Sequence, residues 1–165
     1  MVDPLASATN AEAVVTALTR RGQTIALAES LTAGMACAAI AGVPGASAVL
    51  RGGLVVYATD SKASLAGVAE ATLDRHGAVS AQTATELARG ARRQLGADWG
   101  IGLTGVAGPD EQEGKPVGTA YVGIAGPGGE AVLELSVPGP RWDIRVEVTR
   151  QAFAALVIEV DGQQV

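Results

Sequence analysis

The stretch "IALAESLTAGMACAAIAG", Ile25 to Gly42, constrains the fold more than any other part of the chain. It opens as a continuous apolar run of strand length and carries on as a run of small residues with helical spacing. At the junction sit a carboxylate, two hydroxyls and a glycine: Glu29, Ser30, Thr32 and Gly34. A buried strand that passes directly into a closely packed helix is the start of an α/β unit, and the polar seam lies where such units present loops.

The rest of the chain repeats this grammar. Ala11, Val14, Val15 and Leu18 keep helical spacing, with Asn10 as N-cap and Gly22 as stop. "TIALA" is a buried strand, and residues from about Leu31 to Ala41 read as a helix ended by Gly42 and Pro44. "GGLVVYAT" is a second strand, followed by a short helix carrying Lys62. Ser80 caps a helix whose inner face is Ala84, Leu87, Ala88, Ala91 and Leu95. "WGIGL" is a third strand, leading into the loop "TGVAGPDEQEGKP". "VGTAYVGIAG" and "EAVLELSV" flank "PGG" as an antiparallel hairpin. A last helix from about Arg141 turns Val146, Thr149, Phe153 and Leu156 inward. The expected architecture is a three-layer α/β/α sandwich with a mixed sheet, one domain over 1–165 in which residues 1–9 form a flexible polar arm.

Composition narrows the function. Aromatic residues make up 3% of the chain and glycines number 22, so the core is built from Ala, Val, Leu and Ile with closely approaching backbones. A net charge of −5 without a Lys/Arg cluster larger than Arg20–Arg21 or Arg92–Arg93 argues against a nucleic-acid footprint. No apolar run is long enough to span a bilayer, and the first residues lack the order of a secretory signal. The single cysteine, Cys37, excludes an internal disulfide, and a cytoplasmic location is the expectation.

Three strand-end loops can carry chemistry: "AESLTAG", "YATDSK" and "LTGVAGPD". Ser30 at a strand-to-helix turn can present its hydroxyl among outward N–H groups, or serve only as an N-cap. Its base is not obvious. His76, the only histidine, lies in the polar turn "LDRHGAVS". Lys62 lies just past an apolar strand, and a free lysine is neutral in only about one molecule in 2,500 at pH 7. Burial lowers that pKa, so a buried Lys62 can act as base and an exposed one cannot. Tyr57, five residues before it, either packs as a strand residue or passes a proton between Lys62 and Ser30. "LTGVAGP" fits neither the dinucleotide fingerprint nor the Walker loop, yet Thr104–Gly105 brings backbone and a hydroxyl to a strand end. Asp110, Glu111 and Glu113 read as a solvated acidic loop rather than a metal site. Arg141 and Arg145, one helical turn apart, can grip a phosphate or pair with Asp143 and Glu147. Cys37 reads as a small buried thiol.

"AESLTAG", "VPGASAVLRGGLVVYATDSK", "GVAEATLDRHGAVS", "ARRQLGADWGIGLTGVAGPDEQEGKPVGTAYV" and "RWDIR" occur in an order that closely resembles the CinA C-terminal domain family. Its stand-alone members include nicotinamide-nucleotide amidohydrolases, the PncC-type NMN deamidases. The resemblance runs from about Ala11 to Leu156. It implies a metal-free, cofactor-free fold that commonly self-associates and hydrolyses the carboxamide of nicotinamide mononucleotide to nicotinate mononucleotide and ammonia. By motif it places the nucleophile on Ser30, its tyrosine and lysine on Tyr57 and Lys62, the loop hydroxyl on Thr104 and the late arginine on Arg145. Backbone donors near Thr32, Ala33 and Gly34 would then hold the oxyanion. Arg145, with Arg141 or Thr104–Gly105, would hold the phosphate. The alternative is a catalytically weak or inactive nucleotide-binding regulator; a competence or DNA-repair partner is a third reading that the acidic composition does not favour. Two departures stand out: Ala33 replaces the usual glycine, and the loop after Pro109 is short and acidic. Glu29 reads as a structural anchor for the turn.

Overall fold

The computed structural model describes residues 3–163. Five strands form one mixed sheet in the order β2-β1-β3-β4-β5. They are β1 (Ile25–Glu29), β2 (Leu50–Val55), β3 (Trp99–Gly105), β4 (Thr119–Gly126) and β5 (Gly129–Ser136). The β1 strand pairs in parallel with β2 and β3, while β3–β4 and β4–β5 are antiparallel. The helices are α1 (Pro4–Thr9), α2 (Ala11–Arg21), α3 (Met35–Ala41), α4 (Thr59–Ser64), α5 (Glu70–His76), α6 (Ala81–Gln94) and α7 (Arg141–Gly162). One face of the sheet carries α6; the other is covered by the group α1, α2, α3 and α7, which pack on one another. The expected three-layer α/β/α sandwich is what the chain forms.

The two faces differ in side-chain size, and this follows from the period of two along each strand. Ile25, Leu27, Ile101, Leu103, Val122 and Ile124 build the large core under α2, α3 and α7. Their neighbours on the α6 face are Ala26, Ala28, Gly100, Gly102 and Gly123. A Cβ on Gly102 or on Gly123 would stand 2.2 Å from the Ala84 carbonyl oxygen. Glycine is therefore what lets the α6 backbone lie directly on the sheet, and Ala84, Leu87, Ala88 and Ala91 are fully buried there. Ser80 caps α6 as expected, its hydroxyl accepting from Thr83 N–H at 3.1 Å.

Four local expectations are corrected. Residues Pro4–Thr9, expected within a polar arm, form α1, because Asp3 accepts hydrogen bonds from the N–H groups of Leu5 and Ala6 and the helix buries Ala6 and Thr9; residues 1 and 2 lie outside the described part. The helix expected from Leu31 begins only at Met35, since Ala33 (φ 48°) and Gly34 (φ 93°) are left-handed and cannot continue a helical turn. A further helix, α5, occupies the polar segment read as a turn and ends at His76. In α7 the inward positions are Ile144, Val148, Thr149, Phe153 and Leu156, with Val146 only half-buried. Because β1, β2 and β3 run the same way, the loops after all three gather at one edge of the sheet.

Close approach of α6 is testable. Gly102→Ala should destabilise the protein by about 1–3 kcal/mol through overpacking, whereas Gly128→Ala, whose Cβ would meet only the Gln163 side-chain nitrogen at an ordinary 3.6 Å, should shift urea-unfolding stability by less than about 0.5 kcal/mol. Equal effects would refute the packing argument.

Candidate active site

The β1 ladder continues one step past its last residue: Ser30 N–H donates to the Leu103 carbonyl at 2.9 Å. The chain then turns, with Ala33 N–H on the Ser30 carbonyl at 3.0 Å and Met35 N–H on the Thr32 carbonyl at 3.0 Å. Glu29 is 1% exposed. Its carboxylate accepts three backbone N–H groups, from Gly34 and Ala36 at 3.0 Å each and from Cys37 at 2.8 Å. These are the donors a helix start leaves without partners, so Glu29 is the internal cap of α3. That is the anchor role read from the sequence, now with its acceptors identified.

From the other side the same loop is held by its carbonyls. Arg145 donates through Nε to the Leu31 oxygen at 2.9 Å and through Nη2 to the Thr32 oxygen at 2.8 Å. Its guanidinium carbon lies 6.0 Å from the centroid of the Trp142 ring. The phosphate grip expected of Arg145 is not the placement observed: two of its five N–H donors are engaged on the loop, and it does not line the cavity. Thr32, Ala33 and Gly34 are likewise outside the cavity wall, with the Ala33 and Gly34 N–H groups already bonded. Thr32 Oγ1 is buried with no hydrogen-bond partner among the described residues.

A cavity of about 280 Å³ opens at this edge of the sheet. Ser30, Leu31, Tyr57, Lys62, Gly105 and Arg141 line it, together with Ala78, Val79 and residues 106–112. Ser30 is 8% exposed, and its hydroxyl makes no hydrogen bond among the described residues. Lys62 is 2% exposed and ranks among the largest buried side chains. Its Nζ donates to the Val56 carbonyl at 2.9 Å and to the Tyr57 carbonyl at 3.1 Å. Burial pushes the Lys62 amine below the ordinary lysine value, and the negative charge of Glu113 draws it partly back. A neutral amine has two N–H donors; with both on carbonyls, its lone pair is left for a proton.

Tyr57 is placed differently from the relay read from sequence. Lys62 touches its carbonyl, while the phenol is at the mouth of the cavity, where its oxygen accepts from Arg141 Nη2 at 2.8 Å. Arg141 also donates to the Gly108 carbonyl, and so links both sides of the opening. Thr104 is buried, its hydroxyl donating to the Ala78 carbonyl at 2.6 Å; it braces the cavity wall from behind. Cys37 carries a thiol pushed far up by burial and by the adjacent Glu29, which leaves it inert. Ala78, Val79 and Gln112 were not singled out in the sequence. Nothing in their residue types marks a site; only the fold brings them to Ser30.

These features define a three-layer α/β/α protein with a polar cavity at the carboxyl ends of its parallel strands, where such folds bind ligands. The chain belongs to the CinA C-terminal domain family, whose match covers residues 7–160. It is 51% identical over 128 residues, 78% of its length, to a CinA-like protein of Frankia casuarinae, and 44% identical over 144 residues, 87% of its length, to a competence-damage inducible protein of Streptococcus pneumoniae. The chain spans about a third of the length of these relatives, 30% and 34% respectively. Its fold superposes on the competence damage-inducible protein A of Klebsiella pneumoniae with a TM-score of 0.91 at 29% identity, covering 98% of this chain and 100% of that one. For the competence/damage inducible protein CihA of Agrobacterium tumefaciens the TM-score is 0.88 at 32% identity, with 95% of each chain covered.

Two substitutions probe the loop. Glu29→Gln leaves fewer acceptors for three buried N–H groups and should destabilise the protein by at least about 2 kcal/mol in urea unfolding. Ala33→Gly relieves a left-handed alanine, worth roughly 1–2 kcal/mol, less the entropy glycine adds to the unfolded chain. The melting temperature should therefore stay level or rise; a fall would contradict the conformation assigned to Ala33.

Proposed function

We propose that the chain is an amidohydrolase that cleaves the carboxamide of nicotinamide mononucleotide, giving nicotinate mononucleotide and ammonia, within pyridine-nucleotide recycling. The observation that carries this reading is one cavity lined by both Ser30 and a buried Lys62, the pair that the family resemblance marks as nucleophile and base. Substrate entry would bring the Ser30 hydroxyl to the carboxamide carbon. Neutral Lys62 accepts the hydroxyl proton as Oγ forms its bond to that carbon. The Lys62 ammonium then returns the proton to the nitrogen, which leaves as ammonia, and water hydrolyses the ester on Ser30. A positive pyridinium ring in the cavity disfavours a second cation and helps keep Lys62 neutral before attack.

The supporting roles follow the geometry and differ from the motif assignments. The Leu31 N–H, next after the nucleophile and without an acceptor among the described residues, is the candidate oxyanion donor in place of Thr32 to Gly34. Arg141 at the cavity mouth is the candidate phosphate ligand, and Arg145 positions the nucleophile loop. Tyr57 orients Arg141. Ala33 bears on stability and leaves the cavity wall untouched. Self-association belongs to the same proposal.

Ammonia release from nicotinamide mononucleotide by the purified protein tests the reading. Ser30→Ala and Lys62→Met should each lower kcat by more than about 10³-fold. Retained activity in Ser30→Ala would sink the mechanism, and binding without turnover by the wild type would favour the regulatory alternative. Because the base must be neutral, kcat/KM should rise with pH as Lys62 loses its proton, with a midpoint below the ordinary lysine value. A profile flat through that range would remove Lys62 as base.

A further inference from the structure

Between Gln112 and Lys115 the chain makes a two-residue hairpin, with Lys115 N–H on the Gln112 carbonyl at 2.9 Å and Gln112 N–H on the Lys115 carbonyl at 3.2 Å. Both central residues have positive φ, Glu113 at 54° and Gly114 at 70°. That is the pattern of a type I′ turn, whose first central position favours Asn, Asp or Gly. Glutamate is a poor choice for this backbone. What it supplies is reach: one carboxylate oxygen accepts from Ala78 N–H at 2.9 Å and the other from Val79 N–H at 3.0 Å.

The receiving turn is shaped for that carboxylate. Gly77 has φ 80° with an extended ψ of 172°, a backbone that only glycine adopts readily, and a Cβ there would lie 2.3 Å from the Glu113 Oε2. The turn is also bound elsewhere, by Thr104 on the Ala78 carbonyl and by Thr83 on the Gly77 carbonyl at 2.7 Å. Ala78 and Val79 are cavity wall, and so is the stretch Asp110–Gln112 immediately before Glu113. Three positive-φ residues, Glu113, Gly114 and Gly77, and a two-pronged carboxylate thus join two parts of one wall that are more than thirty residues apart in sequence.

We propose that Glu113 is a positioning residue of the candidate active site: its carboxylate clamps the acidic loop onto the Gly77–Val79 turn and so sets the cavity wall against which substrate docks. The clamp itself is independent of the chemistry, whereas the nature of the docked substrate rests on the amidohydrolase reading. The same carboxylate also acts on the buried Lys62 amine through its charge, so an open loop would change the surroundings of the base as well as the shape of the cavity.

Amide exchange by NMR, paired with kinetics on nicotinamide mononucleotide, tests this in the wild type, Glu113→Gln and Glu113→Ala. Glutamine keeps the length but offers a single acceptor oxygen and no charge. Exchange at Ala78 and Val79 should quicken by about tenfold in Glu113→Gln and more in Glu113→Ala, while the β3 amides of Ile101 and Leu103 stay protected and report that the fold is intact. KM should rise at least about fivefold with kcat within about threefold, and the glutamine variant should lie between wild type and alanine. Unchanged exchange at Ala78 and Val79 would overturn the clamp. Faster exchange with KM unmoved would overturn the positioning role. A wild type that turns over nothing would instead defeat the amidohydrolase reading, and the exchange data would still decide the clamp.

Discussion

The buried carboxylate of Glu29 is the interaction on which the site depends. A glutamate shut away from water is tolerated only when its oxygens find donors, and here three backbone N–H groups converge on it. This joins the end of β1 to the start of α3 across the short turn 30–34, and it holds Ala33 and Gly34 in the left-handed conformations that reverse the chain. Arg145 completes the arrangement from α7 by taking the loop's carbonyls. With N–H groups engaged on one side and carbonyls on the other, Ser30 sits on a loop fixed at both ends. Its own hydroxyl has no hydrogen-bond partner among the described residues and lies beside the cavity.

Lys62 illustrates the same economy of partners. The carbonyls of Val56 and Tyr57 are released when β2 ends at Val55, and they meet the amine one helical turn into α4. Two neutral acceptors can satisfy the donors of an uncharged amine but offer little to offset the desolvation of an ammonium. Burial thus moves the Lys62 amine toward the neutral form that the proposed base requires. Small side chains also act at a distance: the glycine and alanine face of the sheet seats α6 so closely that the turn before it comes to the cavity that Ser30 and Lys62 both line.

Much of this was legible in the sequence. Strand order, most of the helices, the Ser80 cap and the α6 face follow from spacing and residue type, and Ser30 and Lys62, singled out from their motifs, line one cavity. What was not legible depends on contacts distant in the chain. Nothing local to Ala33 shows that Glu29 draws the following N–H groups back and delays α3 to Met35. Arg145 has the spacing of an anion ligand with Arg141, and only the packing of α7 on the Leu31–Thr32 turn commits it to carbonyls. The acidic run after Pro109 is exposed, as its composition indicates; what the sequence does not show is that Glu113 finds partners at Ala78 and Val79, far back in the chain.

The proposed mechanism depends on Lys62 serving as base for Ser30, which burial favours by pushing its amine below the ordinary lysine value. The most direct measurement is an NMR titration of the Lys62 side-chain amine in the folded wild-type protein. A midpoint below that of ordinary lysine is the predicted result; a midpoint at or above that of ordinary lysine would contradict the account.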